Sequence, residues 1–118
     1  MRLNQKQKIQ LKFRVKNRDI FDAIVEGRKK VETRAATPKY MKVRVGDVLT
    51  LVCGKKRLKK KVKKAEHFKT INAVMKKYRP EEINPKANSL REIRETWYSF
   101  PNYREKIKKF GLVLWQLK

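Results

Sequence analysis

Residues 8–15 alternate without a break between apolar and polar side chains, and that alternation limits what the chain can become. Ile9, Leu11, Phe13 and Val15 fall on one side, and Lys8, Gln10, Lys12 and Arg14 on the other. A period of two marks a half-buried strand and is incompatible with an amphipathic helix. Residues 48–52 and 110–117 add two strands that are apolar almost throughout. Residues 57–68 look like low complexity until they are read with the same period. Leu58, Val62 and Phe68 then share one parity, and Arg57, Lys59, Lys61 and Lys63 the other. This is a strand with an unbroken basic row on its outer face, the charges roughly 6.5–7 Å apart. A turn at residues 54–56 leads into it. Strands at both ends with helices between suit a small barrel whose terminal strands pair.

Helical spacing appears in three places between these strands. Ile20, Phe21 and Ile24 form one short apolar stripe, with Asn17 as a cap and Gly27 suited to a left-handed exit. Ile71, Val74, Met75 and Tyr78 form a second, ended by Pro80, with a loop expected over residues 81–87. Leu90, Ile93 and Trp97 form a third, opened by the capping pattern Ser89-Leu90-Arg91-Glu92 and broken at Pro101. Residues 102–109 fit one more short helix. At 118 residues the chain suits a single domain, 1–118, with one core.

Charge narrows the choice of partner. Lysine and arginine number 34 against 11 aspartate and glutamate, a net +23. Such an excess repels itself in a compact state and points to a polyanion. Nucleic acid comes first; no stretch pairs a large apolar face with a basic one as a membrane-surface helix would. No 18-residue apolar run is present, and Met1–Lys6 lacks the apolar core of a signal peptide. Cys53 is alone, which fits a reducing cytoplasm. With one Cys and one His (His67) no zinc site is expected, and no cofactor motif appears. Gly-rich phosphate loops and the Gly-x-Ser-x-Gly elbow are also missing. Trp97, Phe110 and Trp115 read as core; Tyr40, Tyr98 and Tyr103, off the apolar stripes, are better placed to stack on unpaired bases.

Residues 27–34, Gly-Arg-Lys-Lys-Val-Glu-Thr-Arg, say most about function. If residues 29–34 are extended, Lys29, Val31 and Thr33 face one way and Lys30, Glu32 and Arg34 the other. A carboxylate and a guanidinium on one strand face can orient each other and present acceptors and forked donors to a polar ligand. On strict alternation Lys29 points away from them, and only a bulge or a sharp turn after Gly27 brings all three together. The spacing Gly-x-Lys-x-x-Glu-x-Arg, matched by Gly27, Lys29, Glu32 and Arg34, resembles the signature of the ASCH family of the PUA-like superfamily. The Val45-Gly46-Asp47-Val48 turn into an apolar strand resembles that family too.

The resemblance implies an α+β fold, a small PUA-like mixed β-barrel with flanking short helices. It implies RNA binding, ahead of DNA, in a cleft that the signature residues line. Gly27 would shape the entry, and Lys29, Glu32 and Arg34 would line the cleft. The loop that follows, with Lys39 and Tyr40, would lie beside the octet's polar face. Arg57, Lys59, Lys61 and Lys63 would take phosphates. A bacterial branch of the family hydrolyses N4-acetylcytidine with a lysine, a threonine and a glutamate. Its lysine corresponds to Lys29 and its threonine to Glu32, while its glutamate has no clear counterpart near Asn84–Asn88. Thr33 should face the other side of the strand. Were the chain an enzyme, an amidohydrolase acting on a modified nucleoside, Lys29 and Glu32 would carry the chemistry. The overall expectation is a cytoplasmic, monomeric RNA-binding module without metal.

Overall fold

The computed structural model describes residues 8–118; the expectation about Met1–Lys6 lies outside the described residues. Strand β1 (Lys8–Phe13) runs through a 3-10 turn at Val15–Asn17 into helix α1 (Arg18–Val25). Then come β2 (Val31–Ala35), the short α2 (Pro38–Met41), β3 (Val48–Cys53) and the long β4 (Lys56–Phe68). Helices α3 (Ile71–Met75), α4 (Pro80–Ile83), α5 (Leu90–Tyr98) and α6 (Tyr103–Phe110) precede β5 (Leu112–Leu117). The five strands form one sheet in the order β1-β3-β4-β5-β2, an α+β half-barrel with short helices around it.

The first and last strands do share this sheet with the octet strand, but they do not pair. β1 runs parallel to β3, and β5 sits between β4 and β2. The ends of the sheet are β1 and β2, with no ladder joining them among the described residues. β1 is also shorter than its alternation promised. Its register ends with Phe13 opposite Cys53, where β3 turns at Gly54 and offers no further partner. Val15 therefore leaves the sheet and stands 65% exposed instead of facing the core. Asn17 makes no side-chain cap on α1, and two expected loops each contain one helical turn, α2 and α4. Pro80 opens α4, because its fixed φ and missing N–H suit a first helical turn.

The described residues form two cores, not one, and β5 belongs to both. Val113 and Trp115 pack with Leu11, Phe21, Ile24, Leu49, Leu51 and Val62 on one face of the sheet. Leu112 and Leu114 pack with Ile71, Val74, Ile93, Trp97 and Ile107 on the other, under α3 to α6. A strand buried on both sides must be apolar at consecutive positions, which accounts for its unbroken run. β4 changes allegiance along its length. A register shift between Val62 and Lys64 moves the inward parity by one, so Leu58, Val62 and Ala65 meet the first core and Phe68 the second. Phe68 thus lies opposite to the face its sequence parity gave it. Arg57, Lys59, Lys61 and Lys63 are all exposed.

His67 serves a structural end: its Nε2 lies 2.8 Å from the Phe110 carbonyl oxygen, tying β4 to the end of α6. Gly111, at φ +79°, lies beside this tie. A Cβ there would overlap the Phe68 carbonyl oxygen and come within 3.0 Å of His67 Nε2. Gly27 has the same φ with nothing within 4 Å of its Cβ direction. Gly27→Ala should therefore cost only the left-handed backbone penalty, about 1–2 kcal/mol. Gly111→Ala should cost clearly more. Urea unfolding of the two variants checks this, and equal losses would refute the steric account.

Candidate nucleic-acid and ligand cleft

β2 is an edge strand, and its free edge organises the site. Leu117 N donates to Lys30 O and Ala36 N to Gly111 O, so the even-numbered residues of β2 face their partner β5. Val31, Thr33 and Ala35 turn their backbone groups to the open side. Side chains meet them there. Lys29 Nζ donates to the Val31 carbonyl, Thr33 N donates to Glu32 Oε1 at 3.0 Å, and Ala35 N donates to the Tyr103 hydroxyl oxygen at 3.3 Å.

This arrangement brings Lys29 together with Glu32 and Arg34. Strand geometry begins only at Val31, and the chain before it turns sharply at Gly27, with Arg28 N and Lys29 N both donating to Ala23 O at 2.9 and 3.0 Å. Lys29 is therefore not the first residue of an alternating strand, and its side chain folds back over the edge. Its Nζ lies 3.3 Å from Glu32 Oε1, while Arg34 Nη2 lies 3.4 Å from Glu32 Oε2. Lys29 is 2% exposed and Glu32 5%. Burial pushes the Lys29 ammonium below its ordinary 10.5, with Glu32 opposing the shift. For Arg34 burial acts against the charge, but Glu32 and the phenols of Tyr103 and Tyr40 outweigh it and hold its pKa above the usual value. Arg34 also donates to the Lys12 carbonyl at 3.2 Å, the bridge from β2 to β1 across the open sheet. Its guanidinium lies 5.0 Å from the Phe13 ring centre and 6.0 Å from that of Tyr40.

A cleft of about 320 Å³ opens over this edge. Lys29, Glu32, Thr33 and Arg34 line one side, Lys12, Phe13 and Arg14 another, and Trp97, Phe100, Tyr103 and Lys106 the helical wall. Its size is near the lower end of small-molecule sites, which run roughly 300–1,000 Å³. Thr33 does face the opposite side of the strand from Glu32, yet both reach the cleft because it lies along the edge. Thr33 Oγ1 accepts from Trp97 Nε1 at 3.1 Å.

The other expected residues are distributed differently. Gly27 is exposed and shapes the turn without lining the cleft. Tyr40 packs edge-on against Trp115 at 5.8 Å and flanks Arg34 from the barrel side, with Lys39 over its ring. Arg57, Lys59, Lys61 and Lys63 lie outside the cleft on β4. Thr33, Trp97, Phe13, Phe100 and the basic residues Lys12, Arg14 and Lys106 join the site without having been expected there. Only Tyr103 carried an advance signal, its place off the apolar stripe.

The buried triad has a measurable signature. Lys29→Met removes the donor to Val31 O and one cation beside Glu32, and should cost about 1–3 kcal/mol. The pH dependence has a definite sign. A lysine whose folded pKa is depressed binds fewer protons than in the unfolded chain between that value and 10.5. In that window wild-type stability should rise with pH relative to Lys29→Met. Denaturant titrations of both proteins from neutral pH upward test it; parallel curves would rule out a strained buried ammonium.

The chain is similar in fold, over nearly its whole length, to two solved structures. The crystal structure of hypothetical protein PH0355 superposes with a TM-score of 0.81 at 26% identity, covering 95% of this chain and 98% of that one. The solution structure of protein PF0455 from Pyrococcus furiosus gives 0.71 at 25% identity, covering 97% and 96%. No family model and no curated protein sequence matches the chain.

Proposed function

We propose that this chain is a nucleic-acid-binding module of PUA-like, ASCH-type architecture. In this reading it takes RNA ahead of DNA, with phosphates on its basic surface and one base or nucleotide in the cleft. The observation that carries the reading is the buried Lys29–Glu32–Arg34 set along an aromatic-walled cleft, in a chain of net charge +23. Aromatic walls suit an unpaired base, which any π-face can stack against. Buried, unpaired Cys53 agrees with action in a reducing compartment such as the cytoplasm.

The geometry alters the role of Glu32. Its two oxygens already receive Lys29 Nζ, Thr33 N and Arg34 Nη2. It acts as a brace that fixes the two cations; Lys29 is spent on Val31 O and Glu32, and the group left to read a ligand is the partly exposed guanidinium of Arg34, bonded through Nη2 alone. The cleft therefore favours acceptor-rich ligands, such as a base edge bearing carbonyl oxygens or a phosphate. A planar fork makes the Arg34 contact directional, so Arg34→Lys should reduce selectivity among RNA sequences while preserving most salt-dependent binding. Changing Arg57, Lys59, Lys61 and Lys63 together to Gln should weaken all RNAs alike and flatten the dependence of affinity on salt. Fluorescence anisotropy across a salt series measures both. A wild-type protein that fails to bind RNA at low salt, or variants that leave slope and selectivity unchanged, would refute the proposal.

A second reading, hydrolysis of an N4-acetylcytidine-type nucleoside, is favoured by one observation: a desolvated lysine of lowered pKa lining a nucleoside-sized cleft. Against it, Glu32 stands where the hydrolases it resembles have their threonine, and it is the sole carboxylate lining the cleft among the described residues. Acetate release by wild type, lost in Lys29→Ala, would establish this reading.

A further inference from the structure

The cleft is electrically lopsided. Among the described residues, five cationic side chains line it against the single carboxylate of Glu32. Two of the five, Lys29 and Arg34, are committed to Glu32. Of the other three, Arg14 and Lys106 lie on a contiguous aromatic frame, and Lys12 lines the same cleft from β1. Arg14 lies over the Phe100 ring at 5.7 Å, Phe100 meets Tyr103 edge-on at 5.3 Å, and Lys106 lies over Tyr103 at 5.8 Å. A shallower depression adjoins the cleft through Asn17, Ile20, Asn84 and Thr96, and its charge is opposite. Asp19, Glu92 and Glu95 line it; Lys86 is bound to Asp19 at 2.9 Å and Arg91 to Glu95 at 3.1 Å, which leaves Glu92 without a basic partner among the described residues. The charge of the lining thus favours a phosphate at the cleft end over the depression.

Lys12 also connects the mouth to the basic row. In the sheet register Lys12 pairs with Val52, which pairs with Arg57, so the three form one rung and share a face. Neighbouring strands are about 4.8 Å apart, so the Cα atoms of Lys12 and Arg57 are roughly 10 Å apart. The row along β4 thus approaches the cleft through one rung, with Val52 between the two cations.

We infer that Lys12, Arg14 and Lys106 form a phosphate subsite at the cleft mouth, through which an RNA strand lying along the β4 row delivers one nucleotide to the cleft. This deepens the reading of the cleft as a base or nucleotide site and rests on it. The ligand recognised is a nucleotide bearing its phosphate, not a bare nucleoside. The acidic depression keeps the next phosphate out of the far end, so the strand enters and leaves on the basic side.

Calorimetric titration with the four ribonucleosides, their 5′- and 3′-monophosphates, inorganic phosphate and mixed-sequence single-stranded RNA tests this. In wild type at least one monophosphate should bind about tenfold or more tighter than its nucleoside, the scale of one charge-assisted hydrogen bond. RNA should bind tighter still. The combined variant Lys12→Gln, Arg14→Gln, Lys106→Gln should lose the monophosphate advantage, its monophosphates binding no tighter than its own nucleosides. A charge-matched control at exposed lysines away from both depressions, Lys69→Gln, Lys76→Gln, Lys108→Gln, should retain the advantage; circular dichroism confirms that both variants are folded. Equal binding of nucleoside and monophosphate would overturn the phosphate subsite while leaving the base cleft standing. Monophosphates and inorganic phosphate binding alike, with no nucleoside bound, would sustain the subsite and refute the base cleft. Equal affinity for RNA and a monophosphate would overturn the path from the β4 row, as would equal RNA losses in the two triple variants.

Discussion

A sheet that stops short of closing leaves a row of backbone groups without a strand to pair with, and the candidate site is built on such a row. β2 ends the sheet on one side and β1 on the other, with no ladder between them among the described residues. Unpaired edges are costly when buried and invite foreign strands when exposed. Here the odd-numbered groups of β2 are met by Lys29, Glu32 and Tyr103, and the gap is spanned by Arg34 reaching the Lys12 carbonyl. The residues that give the octet its signature therefore have a structural duty before any ligand arrives. The cleft lies at the same gap, lined by residues of both edge strands.

Burying Lys29, Glu32 and Arg34 together is tolerable because each supports the others. A lone ammonium at 2% exposure would be driven neutral, and a lone carboxylate protonated. With the carboxylate between two cations the set keeps one net positive charge, fixed in position and shielded from solvent. Such a charge attracts an acceptor-rich group more strongly than a surface lysine would, since screening by water and salt is weaker there. In the proposed reading the exposed lysines of β4 supply the complementary property, long-range attraction of a polyanion with little discrimination.

The net +23 needs cores that hold against self-repulsion. The fold meets this by using β5 twice, once in each core. A second polar knot fastens the sheet to the turn after α3. Tyr78 donates to Glu66, Gln116 donates to Tyr78 at 2.9 Å, and Lys77 pairs with Glu66. Burial raises the Tyr78 pKa, while Lys77 and Tyr78 hold the Glu66 carboxyl below its ordinary value despite partial burial. Lysine-rich segments can thus surround a well-packed interior without entering it.

By itself the sequence determined the strands, most of the helices and the exposed basic row. Those features depend on periodicity within a few residues, as in Ile9 to Phe13, Val48 to Cys53 and Leu90 to Trp97. It also marked residues 27–34, and it named the condition under which Lys29 could join Glu32 and Arg34. Tertiary structure decided the rest. Whether the condition was met depended on where β2 begins, which the turn at Gly27 and the Ala23 carbonyl set. Phe68 changed sides because a bulge in β4 answers to the register of β5, a partner some fifty residues away in the chain. Val15 left the sheet because β3 ends at Cys53. The cleft itself, with Thr33, Trp97, Phe100 and Lys106 beside the octet, exists only because an unclosed sheet edge faces α5 and α6. No local pattern encodes that meeting, since it is a property of how distant segments pack.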